Sequence, residues 1–220
     1  MTNELLKRII TSGFLITLLI LMYFYSFILI ISLIIIALIT WIEFYALISK
    51  IFFKENFKNR ILRFLSKLIS LIYLFFLVYI VIIISTKNPD FKMQIFYSIL
   101  ISISSDVGGL IIGKIIKGKK LTKISPNKTI SGSLGSFLFS IMLIPFFFNY
   151  FDKYQILTLF IITILISFIS QIGDLSISFL KRKAKVKDTS DILPGHGGFL
   201  DRIDGIIFAI PFGLLLFYIF

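Results

Sequence analysis

Apolar runs of about 18 residues or more recur from one end of this chain to the other. A run of that length crosses the roughly 30 Å hydrocarbon core of a bilayer as a helix, because a helix rises about 1.5 Å per residue. Of the 220 residues, 58% are hydrophobic and only 15% are charged, whereas about a quarter are charged in soluble domains. The sequence therefore predicts an all-α, polytopic integral membrane helical bundle.

Seven transmembrane spans account for the apolar runs. We predict them at residues 9–22, 26–48, 64–85, 93–116, 133–150, 155–179 and 203–220. Lys7 and Arg8 precede the first run as in a signal peptide, but no small-residue cleavage site follows, so we expect a retained span. No internal repeat is visible, and one integral membrane domain over residues 1–220 is expected.

The basic residues lie almost entirely on one side of these spans. With the N-terminus inside, only Lys87, Lys92 and Lys153 of the 23 basic residues fall on the outer side. Because lysine and arginine accumulate in cytoplasmic loops, this asymmetry predicts a cytoplasmic N-terminus. Orientation and attraction to anionic lipids explain the net charge of +12, so nucleic acid binding is not needed to account for it.

The predicted inner loops differ in character. The loop at about residues 50–63 alternates aromatic and basic residues, which is typical of an interfacial segment with snorkelling lysines. The loops at 117–132 and 180–202 are rich in Gly, Pro, Ser and Lys, and each follows an aspartate inside an apolar span. The chain has no cysteine, which excludes disulfide bonds and thiolate metal sites.

Two aspartates, Asp106 and Asp174, lie within predicted spans. A carboxylate at membrane depth costs at least about 2.5–3.5 kcal/mol and marks a functional site by default. The alternative is that each pairs with a lysine to hold helices together. Glu43, near the inner end of the second span, is equally compatible with a function and with a helix-end ion pair to Lys50 or a neighbouring lysine.

The motif LPGHGGFLDRIDG precedes and enters the last span. Asp201 and Asp204 are three residues apart, which predicts that they share one face of a helix. Gly195, Gly197 and Gly198 allow positive φ and let an anion approach the backbone N–H groups. Carboxylates beside an anion site repel phosphate unless a divalent cation lies between them, so the motif suggests a magnesium-bridged polyphosphate. A tight turn without a ligand, with aspartates complementing the helix dipole, is the alternative.

A second glycine-rich and basic stretch covers residues 113–136 and includes Ser125 and Lys128. It lacks the GxxxxGK[ST] spacing of a P-loop. Its charge suits an electrostatic funnel for an anionic substrate, although a plain cytoplasmic basic loop has the same composition.

The segment 178–204 resembles the C-terminal signature of the phosphatidate cytidylyltransferase family. The family pattern is Ser, Lys-Arg, four residues, Lys-Asp, a short spacer, Pro-Gly-His-Gly-Gly, two residues and Asp-Arg-x-Asp. The matching positions are Ser178, Lys181, Arg182, Lys187, Asp188, Pro194, Gly195, His196, Gly197, Gly198, Asp201, Arg202 and Asp204. Gly-Asp-Leu at 173–175, Asp-Val-Gly at 106–108 and SPNKT at 125–129 also look like family motifs.

The resemblance implies that a phosphatidate oxygen attacks the α-phosphorus of CTP, giving CDP-diacylglycerol and pyrophosphate in a Mg²⁺-dependent reaction. It implies that Asp174 and Asp201 are the metal ligands, and that a monovalent cation such as K⁺ shares the centre. It further implies a homodimer in the inner membrane with its active site facing the cytoplasm. Residues 1–90 would then be structural spans and residues 91–220 the catalytic half.

The family motifs also imply roles for individual residues. Catalytic roles fall to Asp174, Asp201, Lys128, Arg202 and Asp204. Substrate-binding roles fall to Ser125, Lys181, Arg182, Lys187, Gly195, His196, Gly197, Gly198 and Asp106. Phosphoryl-type transfer needs positioning and charge neutralisation more than a protein nucleophile, and the basic residues of both groups suit that need.

The chain departs from the family pattern at three places. Ile130-Ser131 replaces the usual Trp-Glu, Ile177 replaces a glutamate, and Gly205 replaces a serine. These departures leave open a non-catalytic relative that binds lipid or nucleotide. A cytidylyltransferase for another lipid phosphate is a further alternative. A secondary transporter is less compatible with the sequence, because the polar residues cluster at the inner side and no inverted repeat is visible.

Overall fold

The computed structural model describes residues 3–87, 89–122, 125, 128–195 and 197–220. The helices are α1 (Asn3–Phe24), α2 (Ser26–Ile51), α3 (Phe57–Lys87), α4 (Pro89–Ile116), α5 (Ile130–Ile141), α6 (Ile144–Phe147), α7 (Ile156–Lys183), α8 (Leu200–Ile203) and α9 (Ile206–Ile219). A 3₁₀ turn at Phe148–Tyr150 follows α6. Within this described part of the chain, extended pairing is limited to isolated bridges, so the all-α prediction is confirmed.

Seven helical segments among the described residues are long and apolar enough to cross a membrane, as predicted. They are Leu6–Phe24, Ser26–Ile51, Phe57–Ser85, Phe91–Ile116, Ile130–Tyr150, Ile156–Lys183 and Leu200–Ile219. The chain is therefore a multi-pass membrane protein. The cytoplasmic orientation of the N-terminus stays a prediction.

The third helix begins earlier than the sequence suggested. Helix α3 begins at Phe57, so residues 57–63 of the predicted interfacial loop are its first two turns. Lys58, Arg60 and Arg63 lie in these turns, and the exposed Lys58 and Arg60 let the helix continue past the apolar core while their charges stay near water.

The last span is interrupted near its start. Helix α8 ends at Ile203, and Asp204 and Gly205 form a turn before α9. The Gly205 N–H donates to Asp204 Oδ1 at 2.9 Å, a local side-chain bond of the kind that competes with helical hydrogen bonding. The prediction that Asp201 and Asp204 share one helical face is therefore wrong, because only Asp201 belongs to α8.

The chain forms two compact units, and the first comprises Met1–Asn88 and Leu180–Ile203. Within this unit α2 packs against α1 and α3 and also contacts α8. Helix α2 buries Thr40, Glu43 and Leu47, each exposed by 2% or less. The segment that carries most of the signature is thereby attached to a long apolar helix.

The second unit comprises Pro89–Phe179 and Asp204–Phe220. Helix α4 packs against α5 and α9 within it. Fully buried Tyr97 lies in its core, where the phenolic oxygen is 2.7 Å from Thr163 Oγ1. The rings of Phe151 and Phe217 pack around Tyr97 and enclose that polar pair in an aromatic cluster.

Small residues bring α4 and α5 close together. A Cβ atom built on Gly108 would lie 2.5 Å from the Gly135 carbonyl oxygen, and one built on Gly135 would lie 2.7 Å from the Gly108 carbonyl oxygen. Such close backbone approach is typical of helix pairs in membranes, where packing replaces the hydrophobic effect between helices. The close approach of the two helices therefore requires glycine at both positions.

The second unit buries several hydroxyl groups beside its apolar core, and large apolar side chains also cover its exterior. On α4, Ser102 and Ser105 are fully buried, whereas Ile115 is 72% exposed. Ser102 Oγ lies 2.7 Å from Ser170 Oγ, and Ser167 Oγ donates to Ser105 Oγ at 3.2 Å. This distribution fits a lipid-facing exterior with hydroxyl groups paired between helices.

The predicted division into structural spans at 1–90 and a catalytic half at 91–220 concerns function and stays a prediction.

Candidate active site

Asp201 is the centre of a polar site in the first unit. Its side chain is 5% exposed, and Oδ1 accepts a hydrogen bond from Lys181 Nζ at 2.7 Å. Oδ2 accepts from Thr189 N at 2.8 Å, Thr189 Oγ1 at 3.1 Å and Gly198 N at 3.1 Å. One carboxylate oxygen therefore faces a cation, while the other holds the signature loop.

The end of α7 positions Lys181. The helix ends at Lys183, and Lys185 takes a left-handed conformation with φ of 56°. The Val186 N–H then donates to the Lys181 carbonyl at 3.0 Å, closing the helix with a turn. Lys181 thus projects from the last turn of a regular helix, where a cation is favoured by the helix dipole.

The described residues of the Pro-Gly-His-Gly-Gly segment close a tight turn. The Leu193 N–H donates to the Gly197 carbonyl at 2.9 Å, and Gly195 and Gly197 have φ of 75° and 81°. Arg8 Nε donates to the Gly195 carbonyl at 3.1 Å. His196, predicted to shape the nucleotide loop, lies outside the described residues. The positive φ angles explain why glycine is required at 195 and 197.

Gly198 is required for a different reason. It is buried, and a Cβ atom there would lie 2.8 Å from Glu43 Oε2 and 2.9 Å from the Ser190 N atom. The closest overlap would be with Thr189 Oγ1. No side chain fits at this position without displacing the residues that bind Asp201.

Glu43 is the functional candidate whose partners sequence reasoning missed. Its carboxylate, 2% exposed, accepts hydrogen bonds from Thr189 Oγ1, Ser190 Oγ, Phe199 N and Leu200 N. The described contacts therefore attach Glu43 to the signature segment rather than to Lys50. An isolated glutamate in an apolar span is a signal of function, but nothing in the sequence names partners about 150 residues away.

The second unit contains another lysine–aspartate pair. Lys128 Nζ forms an ion pair with Asp174 Oδ2, and Ser178 Oγ lies 3.3 Å from Asp174 Oδ1. Both members of the pair are partly buried, with side chains 28% and 20% exposed. The structure thus joins two predicted site residues that are 46 positions apart in sequence.

The basic loop before α5 folds back on itself to present Lys128. The Leu121 N–H donates to the Lys128 carbonyl at 2.8 Å, and the Lys128 N–H donates to the Ser125 carbonyl at 3.1 Å. Thr129 then caps α5 by accepting from Gly132 N at 3.0 Å. Within its described residues, this loop is therefore an ordered turn that leads into a capped helix.

The other predicted site residues are distributed as follows. The residues with exposed side chains are Asp106, Arg182, Lys187 and Arg202. Asp204 is buried, with 5% exposure. At the departures from the family pattern, Ser131 Oγ donates to the Lys117 carbonyl, and Ile177 is buried with 5% exposure. Ser131 therefore links the end of α4 to the start of α5, and Ile177 contributes to apolar packing.

No group of three or more histidine, aspartate or glutamate side chains in the described part of the chain is arranged to hold a metal ion. The expectation that Asp174 and Asp201 bind a metal thus stays a prediction. Each carboxylate does present one oxygen to a lysine ammonium, and such hard oxygen donors are the ligands that Mg²⁺ takes in proteins.

A sequence model described as the cytidylyltransferase family matches residues 2–220. The chain belongs to this family. Its curated relatives include the phosphatidate cytidylyltransferase of Bacillus subtilis (strain 168), 40% identical over 129 residues, which cover 57% of this chain and 48% of the relative. The Staphylococcus haemolyticus protein of the same name is 41% identical over 120 residues, or 53% of this chain and 46% of the relative.

The Rickettsia typhi phosphatidate cytidylyltransferase is 40% identical over 147 residues. This match covers 62% of the present chain and 64% of the relative, whereas the chain spans about half the length of the first two relatives. The family resemblance read from the signature is confirmed by these matches.

Proposed function

We propose that this family member is a CTP:phosphatidate cytidylyltransferase. In the proposed reaction a phosphate oxygen of phosphatidate forms a bond to the α-phosphorus of CTP. The bond from that phosphorus to the bridging oxygen breaks, and pyrophosphate leaves with CDP-diacylglycerol as the lipid product. The observation that carries the proposal is the buried Lys181–Asp201 pair within the signature segment. The names of the relatives support the same reaction.

The chemistry of the site suits this reaction. Transfer to an oxygen of phosphatidate requires that two anionic substrates be brought together and that charge on the displaced pyrophosphate be neutralised. Lys128 and Lys181 supply ammonium groups held in place by carboxylates, and Arg202 supplies an exposed planar guanidinium. Glycines at 195 and 197, which are not buried, let a phosphate approach the backbone without side-chain obstruction.

We assign the remaining roles from the family motifs. Catalytic roles go to Asp174, Asp201, Lys128, Arg202 and Asp204. Substrate binding goes to Ser125, Lys181, Arg182, Lys187, Gly195, His196, Gly197, Gly198 and Asp106. No carboxylate or lysine in this scheme forms a covalent bond to substrate.

Asp174 and Asp201 are the residues that would hold Mg²⁺, since each already directs a carboxylate oxygen at a cationic nitrogen. A bound Mg²⁺ would neutralise phosphate charge and polarise the phosphoryl group. A monovalent cation such as K⁺ in the same centre remains an expectation from the family. Within the chain itself, Thr189 and Gly198 orient Asp201, and Ser178 contacts Asp174.

We also propose a homodimer in a bacterial inner membrane with the active site facing the cytoplasm. The enrichment of basic residues in the predicted inner loops supports that orientation, and CTP is a cytoplasmic metabolite. Reporter fusions would test this orientation. A fusion within residues 117–132 should report the cytoplasmic side, and a fusion within residues 86–92 should report the outer side.

The decisive experiment measures pyrophosphate release by detergent-purified protein supplied with Mg²⁺, CTP and phosphatidate, with ATP replacing CTP as a control. Release that requires both CTP and phosphatidate is expected, and mass spectrometry of the lipid should detect CDP-diacylglycerol. Folded protein that releases no pyrophosphate from CTP and phosphatidate would overturn the proposal.

Asp201→Asn and Asp191→Asn form a matched pair for the same assay. Both remove one negative charge with little change in volume, but the Asp201 side chain is 5% exposed in α8, whereas Asp191 is exposed in the loop before it. Asp201→Asn is expected to reduce turnover by at least about 100-fold, the size of effect seen when one preorganised charge is lost from an active site. Asp191→Asn should retain wild-type turnover.

A further inference from the structure

Glu43 lies on α2, outside every motif that identified the family. Its carboxylate nevertheless binds four donors of the signature segment. It accepts from Thr189 Oγ1 at 2.9 Å, Ser190 Oγ at 2.5 Å, Phe199 N at 2.9 Å and Leu200 N at 2.7 Å. We propose that Glu43 is a positioning residue that holds the signature segment in its active geometry. The expected effect of Glu43 on catalysis rests on the proposed function.

The donor arrangement requires a carboxylate. Each oxygen accepts from one hydroxyl and one backbone N–H: Oε1 from Ser190 and Phe199, and Oε2 from Thr189 and Leu200. An ionised carboxylate offers only acceptors, so all four donors are satisfied. A glutamine amide would direct its NH₂ group at a backbone N–H in either orientation, and one buried donor would always face another donor.

The position of Glu43 explains how it affects Asp201. Leu200 begins α8, so its N–H and that of Phe199 are among the donors left without helical partners at a helix start. Asp201 is the next residue, and Thr189 Oγ1 contacts both Glu43 and Asp201. Glu43 therefore fixes the residue before Asp201 and shares a partner with it. A rigid helix that supports a site through such secondary contacts preorganises it.

The burial of Glu43 makes this arrangement specific. The residue is 2% exposed, and four hydrogen bonds offset the large cost of removing its charge from water. Gly198 leaves the space that the carboxylate needs, since a Cβ there would lie 2.8 Å from Oε2. The glycine of the signature and the glutamate of α2 are thus parts of one packing unit.

The test compares Glu43→Gln with Thr40→Val. Thr40 lies one turn earlier on α2, is 1% exposed, and donates its hydroxyl to the Ile36 carbonyl of its own helix at 2.6 Å. Thr40→Val thus removes a buried hydrogen bond that lies entirely within the same helix. Ser190→Ala is the second informative variant, because it removes one of the four donors and leaves the carboxylate in place.

The proposal predicts a specific kinetic pattern. Glu43→Gln should reduce kcat about 100-fold, the effect expected when catalytic groups are displaced by about 1 Å. Thr40→Val should retain wild-type kcat and KM, and Ser190→Ala should lie between the two. Glu43→Asp keeps the charge but shortens the reach, and should recover part of the loss in Glu43→Gln. Effects of Glu43→Gln and Ser190→Ala should be less than additive, because both act on one network.

Hydrogen exchange provides a measurement that does not depend on turnover. The amides of Phe199 and Leu200 should exchange faster in Glu43→Gln than in wild type, while amides of α4 and α5 should be unchanged. If wild-type protein lacks cytidylyltransferase activity, the proposed function fails, and this exchange measurement still tests whether Glu43 holds the segment.

Two results would overturn the inference. One is wild-type kcat together with wild-type exchange at Phe199 and Leu200 in folded Glu43→Gln. The other applies if Glu43→Gln does not fold. It is wild-type exchange and kcat in Ser190→Ala, together with a loss of folded protein in Thr40→Val equal to that in Glu43→Gln. That second pattern would assign Glu43 a general role in the stability of α2.

Discussion

Replacing Gly198 with alanine tests the packing of the signature segment most directly. The added methyl carbon would lie 2.8 Å from Glu43 Oε2 and 2.9 Å from the Ser190 N atom, and it would overlap Thr189 Oγ1. The Thr189 side chain is the movable neighbour, whereas the Ser190 nitrogen belongs to the backbone. We therefore expect the Thr189 hydroxyl to rotate away from both carboxylates.

The magnitude follows from the contacts that this rotation breaks. Thr189 Oγ1 is 2.9 Å from Glu43 Oε2 and 3.1 Å from Asp201 Oδ2. A hydroxyl has one proton, so Thr189 Oγ1 shares a single donated hydrogen bond between the two carboxylates. A hydrogen bond to a charged group contributes about 1.5–3 kcal/mol, and its loss should destabilise the loop by that amount. If the first unit unfolds cooperatively, Tm should fall by at least about 3 °C.

Gly13→Ala is the matched control for Gly198→Ala. Gly13 lies in α1, and a Cβ atom there has no heavy atom within 4 Å. Alanine in a helix is favoured over glycine by about 1 kcal/mol, so this variant should be neutral or slightly stabilised. The assays are thermal unfolding in detergent, hydrogen exchange across residues 186–200 and pyrophosphate release.

The reasoning predicts that Gly198→Ala loses thermal stability or gains exchange in that loop, and that it loses turnover in either case. Gly198→Ala with the same Tm, exchange and kcat as Gly13→Ala would refute it. Such a result would mean that the loop relaxes without cost, and that the spacing around Gly198 does not constrain the site.

Three further changes test other parts of the molecule. Gly135→Ala should lower the free energy of unfolding by about 1–3 kcal/mol, because the new methyl group would lie 2.6 Å from Ile112 Cγ1; chemical denaturation in mixed micelles measures it. Tyr97→Phe should cost about 1 kcal/mol through the lost 2.7 Å hydrogen bond to Thr163 Oγ1, with turnover unchanged, and thermal unfolding followed by an activity assay measures both. Lys128→Met should reduce pyrophosphate release by at least about 100-fold while the protein remains folded, and an unchanged rate would remove Lys128 from the site.

The helical architecture could be predicted because membrane spans have a strong local signal. Apolar length identifies each span by itself, and the seven segments in the described residues agree with the runs in the sequence. The start of α3 could not be predicted from apolar length, because its first two turns carry basic residues that lie outside the apolar run. The break after Ile203 was missed because a local bond between Gly205 N and Asp204 Oδ1 leaves no periodic pattern.

The site was predictable in its residues but not in its contacts. Asp201 and Lys181 could be predicted because both occupy fixed positions of the family signature. Their shared hydrogen-bond network with Thr189 depends on how the loop folds, which spacing does not determine. Glu43 was noticed only as an isolated acid, since the packing of α2 on a segment about 150 residues later is a property of tertiary structure.

The small residues at the helix contacts of the second unit have a consequence for how this chain tolerates variation. Its helices meet through glycines and paired serines such as Ser102 and Ser170, while large apolar side chains such as Ile115 face outward. In a saturation library, exchange among Leu, Ile, Val and Phe at the outward positions should survive selection freely, because any of them dissolves in lipid. The glycine and serine positions at the helix contacts should admit almost nothing larger than serine, so these smallest residues should be among the least replaceable ones of the unit.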